Sequence, residues 1–250
     1  MSSLDSNSSK GTDEVGGHLI KEKPKILPLP NGPYYLLNDM KPKIVENLRN
    51  SKGEPLSTVS GVALCRCGAS KDKPFCDGTH GTIGFSSENK GAENDGGSGE
   101  NKVIKDKRKD YVGMKITVHD NRRICSHAAE CVNNLSSVFK LNARPWIDSD
   151  AAPLEEIINT IRRCPSGALS YSIDGIEHRD QNERMTMVTV SKDGPYLITG
   201  GIELIGDANN IQFGNGASKE HYTLCRCGAS NNKPFCDGMH KVINFKDDKN

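Results

Sequence analysis

Apolar residues follow a helical period most clearly in the middle of the chain. Four of them recur at intervals of three and four residues: Leu154, Ile157, Ile158 and Ile161. Because residues at these intervals share one face of an α-helix, the pattern predicts an amphipathic helix that buries this face. Asp150 is placed to cap the start of the helix, and Arg162 and Arg163 lie in its last turn, where the helix dipole favours cations.

Short apolar runs bounded by Gly, Pro, Asn and Asp predict strands on both sides of this helix. They lie, in chain order, at 34–37, 114–118, 168–173, 176–178, 185–190, 196–199 and 211–213. Asp174 and Gly175 form a typical two-residue hairpin turn between the two runs that follow the helix. The middle of the chain is therefore expected to be a small α+β unit, and the two ends are expected to be rich in β-structure.

Two segments lack apolar periodicity and are rich in Ser, Asp, Gly, Asn and charged residues. Such compositions cannot bury enough apolar surface to order themselves, so we expect a disordered tail at 1–23 and a flexible linker at 86–109. The remaining chain then divides into three predicted domains, at 24–85, 110–180 and 181–250. The predicted fold class is α+β, with two small β-rich domains flanking a small α+β domain.

The two outer domains carry two copies of one pattern of metal-binding side chains. Each copy has two cysteines separated by one residue, a third cysteine after a Ser and a Pro, and a histidine four residues later. The two sets are Cys65, Cys67, Cys76 and His80, and Cys225, Cys227, Cys236 and His240. A Gly-Pro-Tyr sequence that ends at Tyr34 precedes the first copy, and one that ends at Tyr196 precedes the second. The repeat therefore covers a whole domain.

The spacing within a copy predicts how its side chains meet. Pro74 suits the first turn of a helix, and Cys76 and His80 would then share one helix face. Cys65 and Cys67 would approach from a loop. Three thiolates and one imidazole suit either a tetrahedral zinc ion or an iron-sulfur cluster. Structural zinc sites usually space their cysteines as C-x2-C to C-x4-C, and the present spacing departs from that rule.

The complete run C-x-C-x2-S-x3-P-x-C-D-G-x-H resembles the CDGSH iron-sulfur domain of the mitoNEET family. Beyond the four ligands, the matching positions are Ser70, Pro74, Asp77 and Gly78 in one copy, and Ser230, Pro234, Asp237 and Gly238 in the other. The resemblance implies one 2Fe-2S cluster per copy, with the closely spaced cysteines on one iron and the third cysteine and the histidine on the other. It also implies that the copies pair around a two-fold axis within the chain. Met239 departs from the family, which has a small residue there, as Thr79 is in the first copy.

Three further cysteines lie in the middle domain: Cys125, Cys131 and Cys164. The segment 124–171 resembles a divergent single-cluster ferredoxin domain, whose bacterial form has a cysteine at every third position and ends in Cys-Pro. Ala128 stands where a further cysteine is expected. The resemblance implies either a 3Fe-4S cluster on three cysteines or a 4Fe-4S cluster completed by His127. The alternative is that the three thiols are buried packing groups and His127 is a polar loop residue.

Four cations lie within the two CDGSH-like motifs: Arg66, Lys73, Arg226 and Lys233. Positive charge at these positions would offset the negative charge of an anionic cluster and raise its reduction potential. The competing interpretation is that these side chains are solvated on the surface.

Composition limits the architecture and the class of partner. An apolar fraction of 34% with few aromatic residues argues against one large core and favours small modules that metal binding helps to fold. A net charge of +1 provides no field that recruits nucleic acid or an anionic membrane, and no apolar run approaches the length of a membrane span. Nine cysteines, an odd number, favour a reducing compartment. We therefore expect a soluble, cytoplasmic protein without nucleic-acid or membrane partners.

These observations favour electron transfer, with redox proteins as partners, over catalysis. No Gly-rich nucleotide loop and no Ser-His-Asp arrangement is evident in the sequence. The alternative is an iron-sulfur cluster carrier or a pH- or redox-responsive switch, which donates 2Fe-2S units to apo-proteins when its histidine ligand is protonated. A third hypothesis, a zinc-bound interaction module, requires redox-silent metals.

Overall fold

The computed structural model describes residues 24–38, 41–42, 48–56, 62–89, 93–94, 102–103, 107–180, 184–206, 211 and 213–250. The predicted tail at 1–23 lies outside these residues, as does most of the predicted linker at 86–109. The strands are β1 (Lys25–Pro28), β2 (Tyr34–Asn38), β3 (Lys41–Pro42), β4 (Leu48–Arg49), β5 (Ala63–Leu64), β6 (Glu93–Asn94), β7 (Lys102–Val103), β8 (Arg108–Val112), β9 (Thr117–Asn121), β10 (Leu169–Ile173), β11 (Ile176–His178), β12 (Met187–Val190), β13 (Tyr196–Thr199), β14 (Glu203–Leu204) and β15 (Tyr222–Leu224). The helices are α1 (Thr79–Thr82), α2 (Glu130–Asn134), α3 (Leu154–Arg162) and α4 (Met239–Val242), with a 3-10 turn at Arg122–Ile124.

The middle of the chain folds as a four-stranded antiparallel sheet in the order β11-β10-β9-β8, with α3 packed on β10. Val118 of β9 lies opposite Tyr171 of β10 and Tyr111 of β8. Val118 and Tyr171 are buried in the same core as Ile157 and Ile161 of α3. The apolar face of α3 therefore covers the sheet, and the predicted helix is confirmed.

The predicted hairpin after the helix is also confirmed. Asp174 and Gly175 have φ values of 50° and 78°, as the mirror-image turns of two-residue hairpins require, and they join β10 to β11. The strand predicted at 114–118 is wrong in its bounds, because Gly113 N donates to Ile116 O at 2.9 Å in a turn and β9 starts at Thr117. This strand continues through buried polar residues, so no apolar run marks its full length in the sequence.

The predicted capping role of Asp150 is wrong. α3 begins at Leu154, after Pro153, and no side chain caps its start. Asp150 lies too far upstream to reach the first turn of the helix. Its carboxylate accepts a hydrogen bond from Met114 N at 2.8 Å and so holds the turn before β9.

The two outer segments form two sheets that exchange strands. One sheet has the order β14-β1-β2-β3, with β5 paired to β2, and the other has the order β15-β13-β12-β4. β14 of the second repeat pairs in parallel with β1 of the first, and β4 of the first repeat pairs in parallel with β12 of the second. Ile211 and Phe213 lie outside the strands, contrary to the prediction, and Phe213 packs on the rings of Tyr222 and Phe235.

Two buried tyrosines connect the repeats reciprocally. Tyr34 Oη donates to Cys225 O at 2.9 Å and to Pro234 O at 3.0 Å. Tyr196 Oη donates to Cys65 O at 2.8 Å and to Pro74 O at 3.0 Å. Each tyrosine thus holds the cysteine segment of the other repeat, and their rings meet edge to face at 6.0 Å.

The two cysteine segments also touch each other directly. The backbones of Cys67 and Cys227 form an isolated antiparallel β-bridge. Gly68 and Gly228 follow them with φ values of 80° and 78°, and a Cβ on either glycine would overlap the carbonyl of the opposite cysteine. Glycine is therefore required at both positions by backbone conformation and by close approach.

The middle sheet contacts the second repeat through polar pairs. Arg123 Nε donates to Asn232 Oδ1 at 2.9 Å, and Asn232 Nδ2 donates to Arg123 O at 3.0 Å. Asn121 Nδ2 donates to Asn215 O at 3.1 Å. These contacts place the loop that carries Cys125 beside the second cysteine motif. Among the described residues, no helix has the length and apolar character that crossing a bilayer requires.

Candidate iron-sulfur sites

The first cysteine motif presents its four candidate ligands as two pairs. Cys65 follows β5, and its Sγ lies 3.8 Å from that of Cys67. The Sγ of Cys76 lies 3.3 Å from His80 Nδ1. Backbone hydrogen bonds from Cys65 N to Pro74 O and from Cys76 N to Ala63 O, both 2.8 Å long, bring the two pairs together. Burial raises the pKa of Cys76.

The helix predicted from Pro74 onward is wrong. Pro74 follows a cis peptide bond, Cys76 lies in a loop, and α1 starts only at Thr79. Asp77 organises this loop, because its carboxylate accepts hydrogen bonds from Thr79 N at 3.0 Å and from Lys71 N at 2.8 Å. Hydrogen bonds from Thr79 and Lys71 hold the pKa of Asp77 well below its usual range. His80 therefore enters the site from the first turn of a short helix.

The second motif repeats this geometry. Its Sγ atoms at Cys225 and Cys227 lie 3.8 Å apart, and Cys236 Sγ lies 3.4 Å from His240 Nδ1. α4 again follows a glycine with positive φ, Gly238. In the described parts of the chain, no group of three or more His, Cys, Asp or Glu side chains converges as the ligands of one metal ion. The motifs offer paired donors instead.

The surroundings of the thiols fit an anionic centre. Backbone N–H groups of Gly68 and Ser70 point at Cys65, and Gly238 N lies 3.4 Å from Cys236 Sγ. The hydrogen bond from Cys65 lowers the pKa of Cys67 to about 6. In the second motif, the hydrogen bond from Cys227 lowers the pKa of Cys225 to about 7. One thiol of each motif, Cys67 or Cys225, thus forms a thiolate more readily than a free cysteine, whereas burial raises the pKa of Cys76 and Cys236. Three soft sulfur donors with one imidazole suit iron-sulfur binding.

The arginine between each pair of cysteines is buried, and the interpretation as a solvated surface residue is wrong. Arg226 is fully buried, where it forms an ion pair with Asp247 and donates to Gly194 O and Ser191 O, both at 2.8 Å. Arg66 is 4% exposed, donates to Leu29 O at 3.1 Å, and lies 5.1 Å from the ring centre of Tyr34. Both cations thus lie within the fold, and Arg226 is neutralised there by Asp247.

The two motifs differ in exposure. Cys76 and His80 are half-buried, whereas Cys236 and His240 are 3% and 7% exposed. The middle module covers the second motif, because the ring of His127 lies against Gly238 and Lys241 Nζ donates to His127 O.

The three middle cysteines line one cavity. Cys125 follows the 3-10 turn, Cys131 lies in α2, and Cys164 follows α3. Burial and the charge of Cys164 raise the pKa of Cys125 to about 11, and burial with the charges of Cys164 and Cys125 raises the pKa of Cys131 to about 11. The three cysteines thus share one cavity, as ligands of a shared cluster would.

His127 has a different position from the one a fourth ligand of this cavity would need. It has a φ of 55°, and its ring is directed at Gly238 of the second motif. Partial burial and the charges of Arg122 and Lys241 lower the pKa of His127. The residues that line the cavity include its neighbours Ser126 and Ala128, and His127 lines the adjoining cleft.

Asp120 is a cavity residue that the sequence analysis did not single out. It is 1% exposed, and its Oδ2 accepts a hydrogen bond from Trp146 Nε1 at 3.1 Å. Burial raises the pKa of Asp120 to about 6. Asp120 lies within β9 among other polar residues. Its separation from the cysteines along the sequence does not resemble the spacing of a ligand set.

Family comparisons agree with this arrangement of sites. The iron-binding zinc finger CDGSH type matches residues 31–81 and 193–241, and the divergent 4Fe-4S mono-cluster type matches residues 111–174. The chain belongs to the CDGSH family. These matches and the mixed secondary structure confirm two CDGSH domains around a ferredoxin-like domain and the α+β fold class. The chain is thus an iron-sulfur protein with CDGSH sites in both repeats.

Relatives of this CDGSH protein extend the comparison. The uncharacterized protein YjdI of Escherichia coli strain K12 is 41% identical over 61 residues, which are 24% of this chain and 80% of YjdI. YjdI of Escherichia coli O157:H7 matches with the same identity and coverage. No solved structure matches the chain significantly.

Proposed function

We propose that this protein transfers electrons and that it holds a 2Fe-2S cluster at each CDGSH site and a 3Fe-4S or 4Fe-4S cluster at the middle site. When bound, such clusters accept and release single electrons. Cys65, Cys67, Cys76 and His80 would hold one 2Fe-2S cluster, and Cys225, Cys227, Cys236 and His240 the other. Cys125, Cys131 and Cys164 would hold the middle cluster.

The observation that carries this proposal is that the three candidate sites adjoin one another. The backbone β-bridge between Cys67 and Cys227 joins the two CDGSH motifs. Cys125 and Cys131 line a cleft of about 360 Å³ whose opposite wall includes Asp237 and Gly238 of the second motif. Electron exchange between centres falls off with distance, so adjoining sites favour it.

The side chains around the CDGSH sites support a change of charge at these positions. The hydrogen bond from Cys227 and the charge of Lys233 lower the pKa of Cys225 to about 7. Arg66 is buried within the first motif, where a positive charge interacts more strongly with an anionic centre than it would in water. Backbone N–H groups directed at Cys65 and Cys236 add fixed dipoles of the same sense. The chain thus stabilises added negative charge.

The test is to purify the full chain without oxygen and to measure iron, acid-labile sulfide and zinc, followed by a redox titration monitored by visible absorption and electron paramagnetic resonance (EPR). The proposal expects about seven or eight irons per chain and reversible one-electron steps. About four irons would show that the middle site holds no cluster. Zinc without sulfide would overturn electron transfer and leave an interaction module.

The second candidate function is donation of 2Fe-2S units to apo-proteins. It is favoured by the open position of the first CDGSH site, where His80 is half-buried and the space around Gly78 and Gly81 is empty to 4 Å from a built Cβ. Transfer to an apo-ferredoxin distinguishes the two functions. Fast transfer that His80→Cys abolishes favours the carrier, and reversible reduction without transfer favours electron carriage.

The partners follow from the same alternatives. Electron carriage needs redox proteins as donor and acceptor, and the carrier needs apo-protein acceptors. Pairing of the two CDGSH repeats within one chain is also part of the proposal, supported by the exchanged strands and by the reciprocal bonds of Tyr34 and Tyr196.

A further inference from the structure

The middle site offers three thiols, whereas a 4Fe-4S cluster takes one protein ligand on each of four irons. His127 is directed at Gly238 across the interface, so its ring does not supply the missing donor in this structure. A 4Fe-4S cluster at this site would therefore need a fourth ligand from another side chain that lines the cavity of Cys125, Cys131 and Cys164.

One oxygen in this cavity lacks a hydrogen bond. Asp120 Oδ1 is buried and has no hydrogen-bond partner in the part of the chain that the structure describes, although Asp120 Oδ2 accepts from Trp146 Nε1 and lies 3.6 Å from Arg122 Nε. Buried polar atoms are almost always satisfied, so an orphaned carboxylate oxygen in a thiol-lined cavity is a candidate ligand for a metal.

The other oxygen donors of the cavity fit less well. Glu130 is exposed, and its Oε2 accepts from Asn134 Nδ2 at 3.1 Å. Ser166 Oγ lies 3.6 Å from Cys164 Sγ and already interacts with that thiol. Ser126 is buried as well, but its hydroxyl carries no negative charge. Asp120 alone among these four combines negative charge, burial and an oxygen without a hydrogen bond.

We propose that Asp120 is the fourth protein ligand of the middle site and binds one iron through Oδ1. The inference rests on the proposed function, in that the middle site holds an iron-sulfur cluster. A carboxylate is a harder donor than thiolate, so the iron held by Asp120 is the most easily lost of the four. Removal of one electron by ferricyanide, which becomes ferrocyanide, then releases this iron as Fe²⁺ and leaves a 3Fe-4S cluster on the three cysteines.

The test compares the full chain with Asp120→Asn, Asp120→Cys and the control Glu130→Gln, all purified without oxygen. Oxidised 2Fe-2S and 4Fe-4S clusters give no EPR signal, and an oxidised 3Fe-4S cluster does. We expect about eight irons and no signal in the parent protein and in Glu130→Gln, and about seven irons with a 3Fe-4S signal in Asp120→Asn. Ferricyanide should produce the same signal in the parent protein but not in Asp120→Cys, where thiolate replaces the weak ligand.

Asp120→Asn keeps an acceptor for Trp146 Nε1, and circular dichroism checks that the variant remains folded. If Asp120→Asn retains eight irons and stays silent, the ligand assignment is wrong while the proposed function stands. The same holds if the parent protein already has seven irons and the 3Fe-4S signal. About four irons in the parent protein would overturn both the inference and the cluster assignment of the middle site.

Discussion

At the scale of single residues, the second CDGSH motif is centred on a buried ion pair. Arg226 and Asp247 have fully buried side chains, and Arg226 also donates to two backbone carbonyls. Breaking a buried pair by removing one partner leaves an uncompensated charge, which costs about 3–5 kcal/mol. The C-terminal segment is therefore tied to the cysteine loop by one side chain.

Asp247→Ala tests this role. We expect it to lower the free energy of unfolding by about 3 kcal/mol, because Arg226 would keep its charge without its partner. The measurement is denaturant unfolding of the loaded protein. Lys249→Ala is the matched control, since its pair with Asp72 is exposed and is worth less than about 1 kcal/mol. Equal effects of the two variants would contradict the role of burial.

At the scale of secondary-structure elements, the cysteine segments depend on two glycines for their contact. Gly228→Ala is expected to destabilise the fold by more than the roughly 1–2 kcal/mol that a left-handed backbone costs, because the new Cβ would overlap Cys67 O. Gly53→Ala is the control, since Gly53 has a φ of 83° with nothing within 4 Å of a built Cβ. Thermal unfolding of both variants separates the backbone penalty from the overlap. A similar loss of stability in both would show that the close approach contributes nothing.

The sequence predicts those elements that have a local pattern of residues. The apolar period of its residues predicts α3, and Asp174 and Gly175 predict the hairpin. β9 was misplaced because its residues 119–121 are polar and yet buried, each held by partners distant in sequence. The start of α1 was misplaced because the Asp77 carboxylate, rather than Pro74, organises the turn before it.

Among the candidate ligands, those close together in the sequence can be predicted, and those brought together only by the fold cannot. The two CDGSH sets follow from spacing because their donors lie within sixteen residues of each other along the chain. Asp120 lies in β9, outside the loop of Cys125, and only the folded sheet shows that it lines the cavity of the three cysteines and has a carboxylate oxygen without a hydrogen bond. The ligand sets and the domain boundaries themselves stay predictions.

At the scale of the whole molecule, two similar motifs lie in different surroundings. The first is open on the side of Gly78 and Gly81, and the second is covered by the middle module through His127 and Lys241. Since a chelator needs access to iron, we expect the two CDGSH sites to lose iron in two separate phases, with the first CDGSH site emptying first. The measurement is the loss of visible absorption with time after addition of a chelator.

Lys241→Ala should accelerate the slow phase several-fold, because it removes a hydrogen bond, worth about 1 kcal/mol, that holds the cover in place. The fast phase should be unchanged. Lys246→Ala is the control, since its exposed side chain pairs only with Asp193 among the contacts resolved for it. One single phase in the parent protein would contradict the difference in surroundings.

Pairing of the repeats makes a crossed prediction. Tyr34 lies in the first repeat but donates to Cys225 O and Pro234 O of the second, and Tyr196 does the reverse. Tyr34→Phe leaves those buried carbonyls without their donor, which costs about 1–3 kcal/mol, so it should speed iron loss from the second site. Tyr196→Phe should speed loss from the first.

The control for this crossed effect is Tyr222→Phe, because Tyr222 Oη donates to Ile202 O within its own repeat. His240→Cys, which replaces one ligand and alters the absorption of the second site, identifies which phase belongs to which site. If the repeats separate in solution, Tyr34→Phe would leave the second site unaffected, since Tyr34 would no longer contact that site. A change in iron loss from the site of the opposite repeat arises only when both repeats are held together. The exchanged strands and the backbone β-bridge between Cys67 and Cys227 provide this contact.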